Sequence, residues 1–439
     1  MHANIRHHLQ ESVHNLDSIT AKYAPLFLGA ILAVTTYQKW QLTFHTDGGG
    51  DLLGADIPKS LMLISGQNPY TSNPWASPYP PLLLVVVGGI IRLTAGPIVL
   101  SPDTIGLISR NIRLVGLLAD ASVALILYLT LRSRGFTGLS SLVPPALFLT
   151  LPSISLSPYY WFNTDVFGYP ILALAVLAFV KNRYLSGSLL LCTSVIFKVH
   201  PILSIPLVLV WLAQKQGLSR SLPAIFSSGL ILSVGLVAPV LLPGYLGSFL
   251  GFNLSSGFGG GTSSFTMMNL LYATLPSVVN TSLPLAIENQ IWLAISVVLF
   301  VFALGVVWRR GQSLSLVDVV TIGLLVWLIP LRQIYTHYLV WAIVPFLMRG
   351  RLSQTLIVGG LLELANTMSS WSWDLSPDPF PALATPAGFL ATSFVYLSVS
   401  ATALLFTLRT PSISTRTAIR AGYNPSLLQA DPIVVVGSN

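Results

Sequence analysis

Residues Ile112–Leu131 read IRLVGLLADASVALILYLTL. A bilayer core about 30 Å thick is crossed by about 20 helical residues, and this stretch supplies them with a carboxylate, Asp120, set among apolar neighbours. A charge there costs about 2.5–3.5 kcal/mol or more unless it is neutralised, so Asp120 is expected to be protonated, paired or lining a polar cavity. Arg132 and Arg134 follow at once, as cations do where a helix leaves the membrane on the cytoplasmic side.

The same pattern recurs outward in both directions. Further apolar runs occupy Tyr23–Phe44, Gly138–Leu156, Val166–Val180, Tyr184–Phe197, Pro201–Ala213, Leu222–Leu242, Gln290–Trp308, Leu316–Leu331, Tyr335–Met348, Leu352–Met368 and Pro386–Leu408. The expected fold class is therefore an all-α polytopic membrane protein with about 12 transmembrane helices. Composition agrees, since 439 residues with 53% hydrophobic and 8% charged letters carry more apolar surface than a water-soluble domain buries. The net charge of +8 sits in short clusters between the runs, which is a topology signal and implies no nucleic acid. Cys192 is the one cysteine, so it forms no intramolecular disulfide and no metal cluster.

Orientation follows from the positive-inside rule. With a cytoplasmic N-terminal tail over 1–22, the inner loops receive Arg132/Arg134, Lys181/Arg183, Lys215/Arg220, Arg309/Arg310, Arg349/Arg351 and Arg409/Arg416/Arg420, and residues 409–439 form a cytoplasmic C-terminal tail. The alternation requires that Leu82–Leu100, interrupted by Gly88, Gly89, Arg92 and Pro97, make no net crossing. That run is expected to be re-entrant or interfacial, leaving two long outer loops, 45–111 and 243–289, within a membrane domain spanning 23–408. The tail histidines His7, His8 and His14 read as solvated residues without a function.

Asp47, Asp51, Asp56, Asp103, Asp165, Glu288, Asp374 and Asp378 all fall on the outer side. Carboxylates contribute little to topology, so chemistry on that face is a candidate cause. Three of them lie within ten positions, in His45-Thr46-Asp47-Gly48-Gly49-Gly50-Asp51 and then Asp56. Such a cluster suits a general base or a cation site, and partial exclusion of water raises a carboxyl pKa towards a useful value. A solvated acidic loop with Gly and Pro setting its turns is the plainer alternative. Lys198 at a helix end near the outer surface suits an anion such as a lipid phosphate, with His200 beside it and Arg332 and His337 opening another helix on the same face. Donors of this kind stabilise charge developing on a phosphate leaving group. Asp165 could orient an acceptor or cap its helix. Tyr70 and Tyr79 could stack on a sugar or pack the loop. No P-loop, zinc pattern or dinucleotide fingerprint is present.

The order Asp51, Gly66-x-x-Pro69-Tyr70, Tyr79-Pro80-Pro81-Leu82 resembles the first luminal loop of GT-C membrane glycosyltransferases, above all the polyprenyl-phosphate-mannose-dependent phosphatidylinositol-mannoside mannosyltransferases and, more distantly, the first mannosyltransferase of glycosylphosphatidylinositol synthesis. Asp120, Asn163-Thr164-Asp165, Lys198-Val199-His200-Pro201 and Thr336-His337-Tyr338-Leu339 with Pro345 extend the resemblance in order along Tyr23–Pro345. It implies that the loop aspartate is the catalytic base; the spacing favours Asp51, with Asp47 and Asp56 bracketing it and a triple glycine departing from the usual pattern. It further implies an inverting transfer of a hexose, most similar to mannose, from a polyprenyl-phosphate donor to a hydroxyl of a lipid-linked or membrane acceptor. The implied active site opens on the non-cytoplasmic side of a cell membrane. No cofactor or metal is required, although a divalent cation at Asp47 and Asp51 is compatible with it. A transporter or lipid flippase is the rival from another class, and differs in needing its polar groups near the membrane midplane.

Overall fold

The computed structural model describes residues 2–45, 52–71, 80–95, 102–152, 164–250, 285–330, 336–373 and 386–410. Among these residues the chain is helical and contains no strand. The apolar runs of the sequence fall on helices α1 (His2–His45), α4 (Pro102–Ser133), α5 (Gly138–Thr150), α6 (Gly168–Val180), α7 (Tyr184–Phe197), α8 (Ser204–Gln216), α9 (Leu218–Leu232), α11 (Leu285–Arg310), α12 (Leu316–Leu328), α13 (Thr336–Leu347), α14 (Leu352–Trp373) and α15 (Pro386–Arg409). Short helices α2 (Ile57–Ile64), α3 (Pro81–Ala95) and α10 (Tyr245–Leu250) come from the two segments read as outer loops.

Four stretches are long and apolar enough to cross a membrane: Ser18–His45, Thr104–Ser133, Leu218–Leu241 and Leu293–Arg310. Their outward faces are strongly apolar. On the third, Phe226 is 72% exposed and Leu241 86%, and on the fourth Val298 and Trp308 are more than half exposed. Water would penalise such continuous apolar faces, whereas lipid tails match them. The helix α3, drawn from the run expected to make no net crossing, has 15 residues. That is about 22 Å of helix, short of the ~30 Å core, and it packs back on α2 and α4.

Within lipid the helices gain little from hydrophobic exclusion, and close packing and polar contacts hold them together. The central helix is α12, nearly every residue of which is buried. It runs antiparallel to α8, with Ser204 Oγ donating to the Val320 carbonyl at one level and Trp211 Nε1 donating to the Leu314 carbonyl two turns away. The α12 N-terminus is closed by a reciprocal capping box, in which Ser315 Oγ accepts from the Asp318 N–H and the Asp318 carboxylate accepts from the Ser315 N–H. Asp318 is fully buried and also accepts from Arg349 Nε at 3.0 Å. The rest of that guanidinium donates to Gln354 Oε1 and to the Phe406 and Thr410 carbonyls. One arginine thereby joins the start of α12 to the ends of α13 and α15, and its charge sits where helix carbonyls are left over.

Asp120 is paired, as its place in an apolar run required. Lys39 Nζ donates to Asp120 Oδ2 at 2.5 Å, and both side chains are buried. Two turns earlier on α4, Arg113 donates to the Thr43 carbonyl near the end of α1, so α1 and α4 are antiparallel and joined at two levels.

Candidate functional site

The helices α6 and α7 form an antiparallel hairpin. Its turn is Lys181-Asn182-Arg183, where Asn182 takes φ 58° and the Arg183 N–H returns to the Ala178 carbonyl, closing the end of α6. A close crossing is possible because Gly187 leaves room for the Phe179 ring; a Cβ at Gly187 would stand 2.3 Å from it. Counting equally along both arms from the turn brings Asp165, in the turn Thr164–Phe167 preceding α6, opposite Lys198, just past the end of α7. The two side chains meet in a salt bridge and both are buried. The anion that a buried Lys198 calls for is thus provided within the chain, by another residue singled out in the sequence.

Asp165 does not cap α6, whose N-cap, Phe167, makes no side-chain cap bond. Its second oxygen instead accepts from Trp341 Nε1 at 3.0 Å. Trp341 comes from α13 and packs against Gly168, where a Cβ would stand 2.4 Å from its Cη2. It also packs edge-on against Tyr169, with ring centroids 5.1 Å apart. One turn earlier on α13, the Tyr338 ring lies 5.3 Å from Lys198 Nζ and its centroid 4.6 Å from that of His200. Trp327, at the end of α12, donates Nε1–H to His200 Nδ1 at 3.2 Å. In neutral His200 this bond leaves the proton on Nε2, making that atom a donor.

The first outer segment reaches the same corner. Asp56 closes a π-helical turn, Leu52–Asp56, and is 1% exposed. Its Oδ2 accepts from Thr164 Oγ1 at 2.8 Å, one residue from Asp165. Asp56, Asp165, Lys198 and His200 are therefore gathered at one end of the bundle. Tyr338 joins them and, with Trp327 and Trp341, forms the aromatic wall. The Asp318–Arg349 cluster occupies the opposite end of α12.

Tyr70 is placed elsewhere. Its ring packs edge-on against Tyr245 with centroids 5.0 Å apart, in a small apolar cluster with Leu84 and Leu63. Asn68 Nδ2 donates to the Pro243 carbonyl at 2.9 Å, and Ser248 Oγ donates to the Tyr70 carbonyl. Lys59 Nζ donates to the Pro69 carbonyl, and burial lowers its pKa. The Asn68 and Ser248 bonds fasten the first outer segment to the start of the second, and the Lys59 bond braces the first segment internally. Burial raises the Tyr70 hydroxyl above the ordinary tyrosine range and pushes Tyr245 up to about 12.

Asp47, Asp51, Tyr79 and Arg332 lie outside the described residues, as does the side chain of His337. Among the described residues, no group of three His, Cys, Asp or Glu could hold a metal ion. Trp327 and Trp341 were not singled out in the sequence, where aromatics default to an interfacial belt. Trp341 lies in the middle of an apolar run, which was the available signal because a buried indole N–H requires an acceptor, whereas Trp327 stands near the end of its run and gave none. No family model matches the chain, and no curated protein matches it.

Proposed function

We propose that the chain is a GT-C-type membrane glycosyltransferase of about 12 crossings. It transfers a hexose, mannose by resemblance, from a polyprenyl phosphate to a hydroxyl of a lipid or glycolipid acceptor at the non-cytoplasmic face. The observation that carries this reading is the meeting of Asp56, Asp165, Lys198 and His200 at one end of the bundle, from three separate parts of the sequence. The meeting brings a cation, an imidazole donor and carboxylates together at one end of a membrane domain, and groups of these kinds are what transfer from a lipid phosphate needs.

In this mechanism a loop carboxylate, Asp51 by its spacing, takes the acceptor hydroxyl proton as the oxygen attacks the anomeric carbon in line. The sugar–phosphate bond breaks on the opposite side, and the configuration inverts. Lys198, His200 and His337 receive the charge that develops on the departing phosphate. Tyr338 and Trp341 narrow the site and keep water from competing with the acceptor.

A transporter reading would draw on the buried Lys39–Asp120 pair. The two charges of that pair neutralise each other, and with the Arg113 bond to the Thr43 carbonyl the pair joins α1 to α4. The glycosyltransferase reading is tested by incubating the purified protein with radiolabelled polyprenyl-phosphate sugars and membrane lipid extract. Label is expected to move to a lipid acceptor from one donor of the panel, and its failure to move from any would overturn the assignment. Asp51→Asn is expected to abolish transfer and preserve donor binding. Unchanged turnover removes Asp51 as base, and the same loss from Asp47→Asn or Asp56→Asn with Asp51→Asn active moves the role to that residue.

A further inference from the structure

We propose that Asp165 is the resting occupant of the Lys198 cation and surrenders it to the donor's phosphate, so that the Asp165–Lys198 pair opens as the site fills. The inference rests on the polyprenyl-phosphate reading of the site and adds to it a positioning residue that sets donor affinity.

Lys198 is 3% exposed and Asp165 1%, so each requires an opposite charge or strong hydrogen bonds while the site is empty. The carboxylate is prepared to lose this partner. Its other oxygen is held by Trp341 Nε1, and Trp341 is fixed by Gly168 and Tyr169, so Asp165 remains hydrogen-bonded and anchored when the ammonium leaves. The cation is equally prepared to move. A lysine carries a point charge on a flexible four-carbon stem, and the Tyr338 face lies 5.3 Å from Nζ as a second attractive surface. His200, adjacent to that ring, presents Nε2–H because Trp327 occupies Nδ1. A phosphate entering here finds an ammonium that can swing and an imidazole donor that is already oriented.

The buried pair at the other end of α12 is built differently. Arg349 is clasped by Asp318, Gln354 and two backbone carbonyls, so its planar fork is spent on several elements together. That arrangement is a fastening. The Asp165–Lys198 pair, with a flexible cation and a carboxylate that has its own second donor, is an exchange site.

Asp165 therefore competes with phosphate, and removing its charge is expected to tighten phosphate binding. A like charge removed at about 5 Å in a site of effective dielectric about 20 is worth more than a factor of ten in affinity. The experiment measures equilibrium binding of farnesyl phosphate, and of uncharged farnesol as control, to the full chain in lipid nanodiscs. Asp165→Asn retains an oxygen to accept from Trp341 and is expected to bind farnesyl phosphate at least ten-fold more tightly, with farnesol unchanged. Lys198→Arg is expected to weaken farnesyl phosphate about ten-fold, because a guanidinium clasps Asp165 in two bonds and releases it less readily. If farnesyl phosphate binds the wild-type chain no better than farnesol, the phosphate-site reading itself fails. If the wild-type chain discriminates but Asp165→Asn binds equally or more weakly, the exchange is wrong and the site reading stands. Should Asp165→Asn not fold, Lys198→Arg decides alone, and equal or tighter binding by it overturns the proposal.

Discussion

At the residue scale the candidate site depends on a missing methyl group. Trp341 reaches Asp165 across the surface of α6, and only glycine at position 168 admits the indole, since a Cβ would stand 2.4 Å from Cη2 and 2.8 Å from Cζ2. Gly168→Ala is expected to displace the indole, break its bond to Asp165 and destabilise the protein by about 1–3 kcal/mol, the usual cost of overpacking. Thermal unfolding in detergent checks it, and an unchanged midpoint would show that the indole is not held as described. The Lys39–Asp120 pair makes a second residue-scale prediction. Removing one partner leaves a buried charge, and Lys39→Ala or Asp120→Ala is expected to cost about 3–5 kcal/mol, whereas replacing both by Met and Leu is expected to be close to neutral. A double-mutant cycle on the unfolding midpoint measures it, and additive single losses would deny the coupling. Asp120 shows how far sequence reasoning carries at this scale. An apolar run makes a carboxylate conspicuous and demands a partner, but Lys39 lies 81 residues away on another helix, and the pairing depends on a helix register that the local sequence does not state.

At the element scale, equal arms of the α6–α7 hairpin bring Asp165 to Lys198, and this much was accessible from the sequence, because Tyr184–Phe197 is a run with the same bounds as its helix. The pattern Ser315-x-x-Asp318 was equally legible as a capping box, although its use as an acceptor for Arg349 depends on α13 ending beside it. Contact between the two outer segments was not legible. Asn68 and Tyr70 belong to a loop with no periodicity, and their partners, the Pro243 carbonyl and the Tyr245 ring, are distant in sequence. This contact has a pH signature. Both phenols are held neutral by burial, so their ionisation in the folded state begins above the ordinary tyrosine pKa of about 10. The folded pKa is raised, hence the stabilisation is fully present below pH ~10 and lost as pH rises through the folded value, about 12 for Tyr245. Tyrosinate absorbance is expected to show late-titrating phenols in the intact protein, one fewer in Tyr245→Phe. If Tyr245→Phe removes instead a phenol titrating near pH 10, the docked arrangement of the segments is absent in solution.

At the scale of the whole molecule, one orientation decides whether the gathered side chains can meet a donor outside the cytosol. Hydropathy located the helices because each apolar run must be continuous to satisfy its own backbone in lipid. It could not assign which of the shorter ones cross, since a helix of 13 residues such as α12 spans only about 20 Å and is accommodated by burial among its neighbours. The distribution of cations gives the testable alternative. Lys181 lies in the turn of the α6–α7 hairpin and Gln312 in the turn before α12, both at the end of the bundle opposite Asp165 and Lys198, while Gln67 lies in the first outer segment. All three are exposed, and Cys192, the one natural thiol, is buried and can be replaced by Ala to give a silent background. In intact cells a membrane-impermeant maleimide is expected to label Gln67→Cys, and to label Lys181→Cys and Gln312→Cys only after permeabilisation. Labelling of Lys181→Cys from outside would reverse the orientation and turn Asp165 and Lys198 toward the cytosol. In that geometry the same cluster would meet soluble cytoplasmic phosphates, and a polyprenyl-phosphate donor presented at the outer face could not reach it.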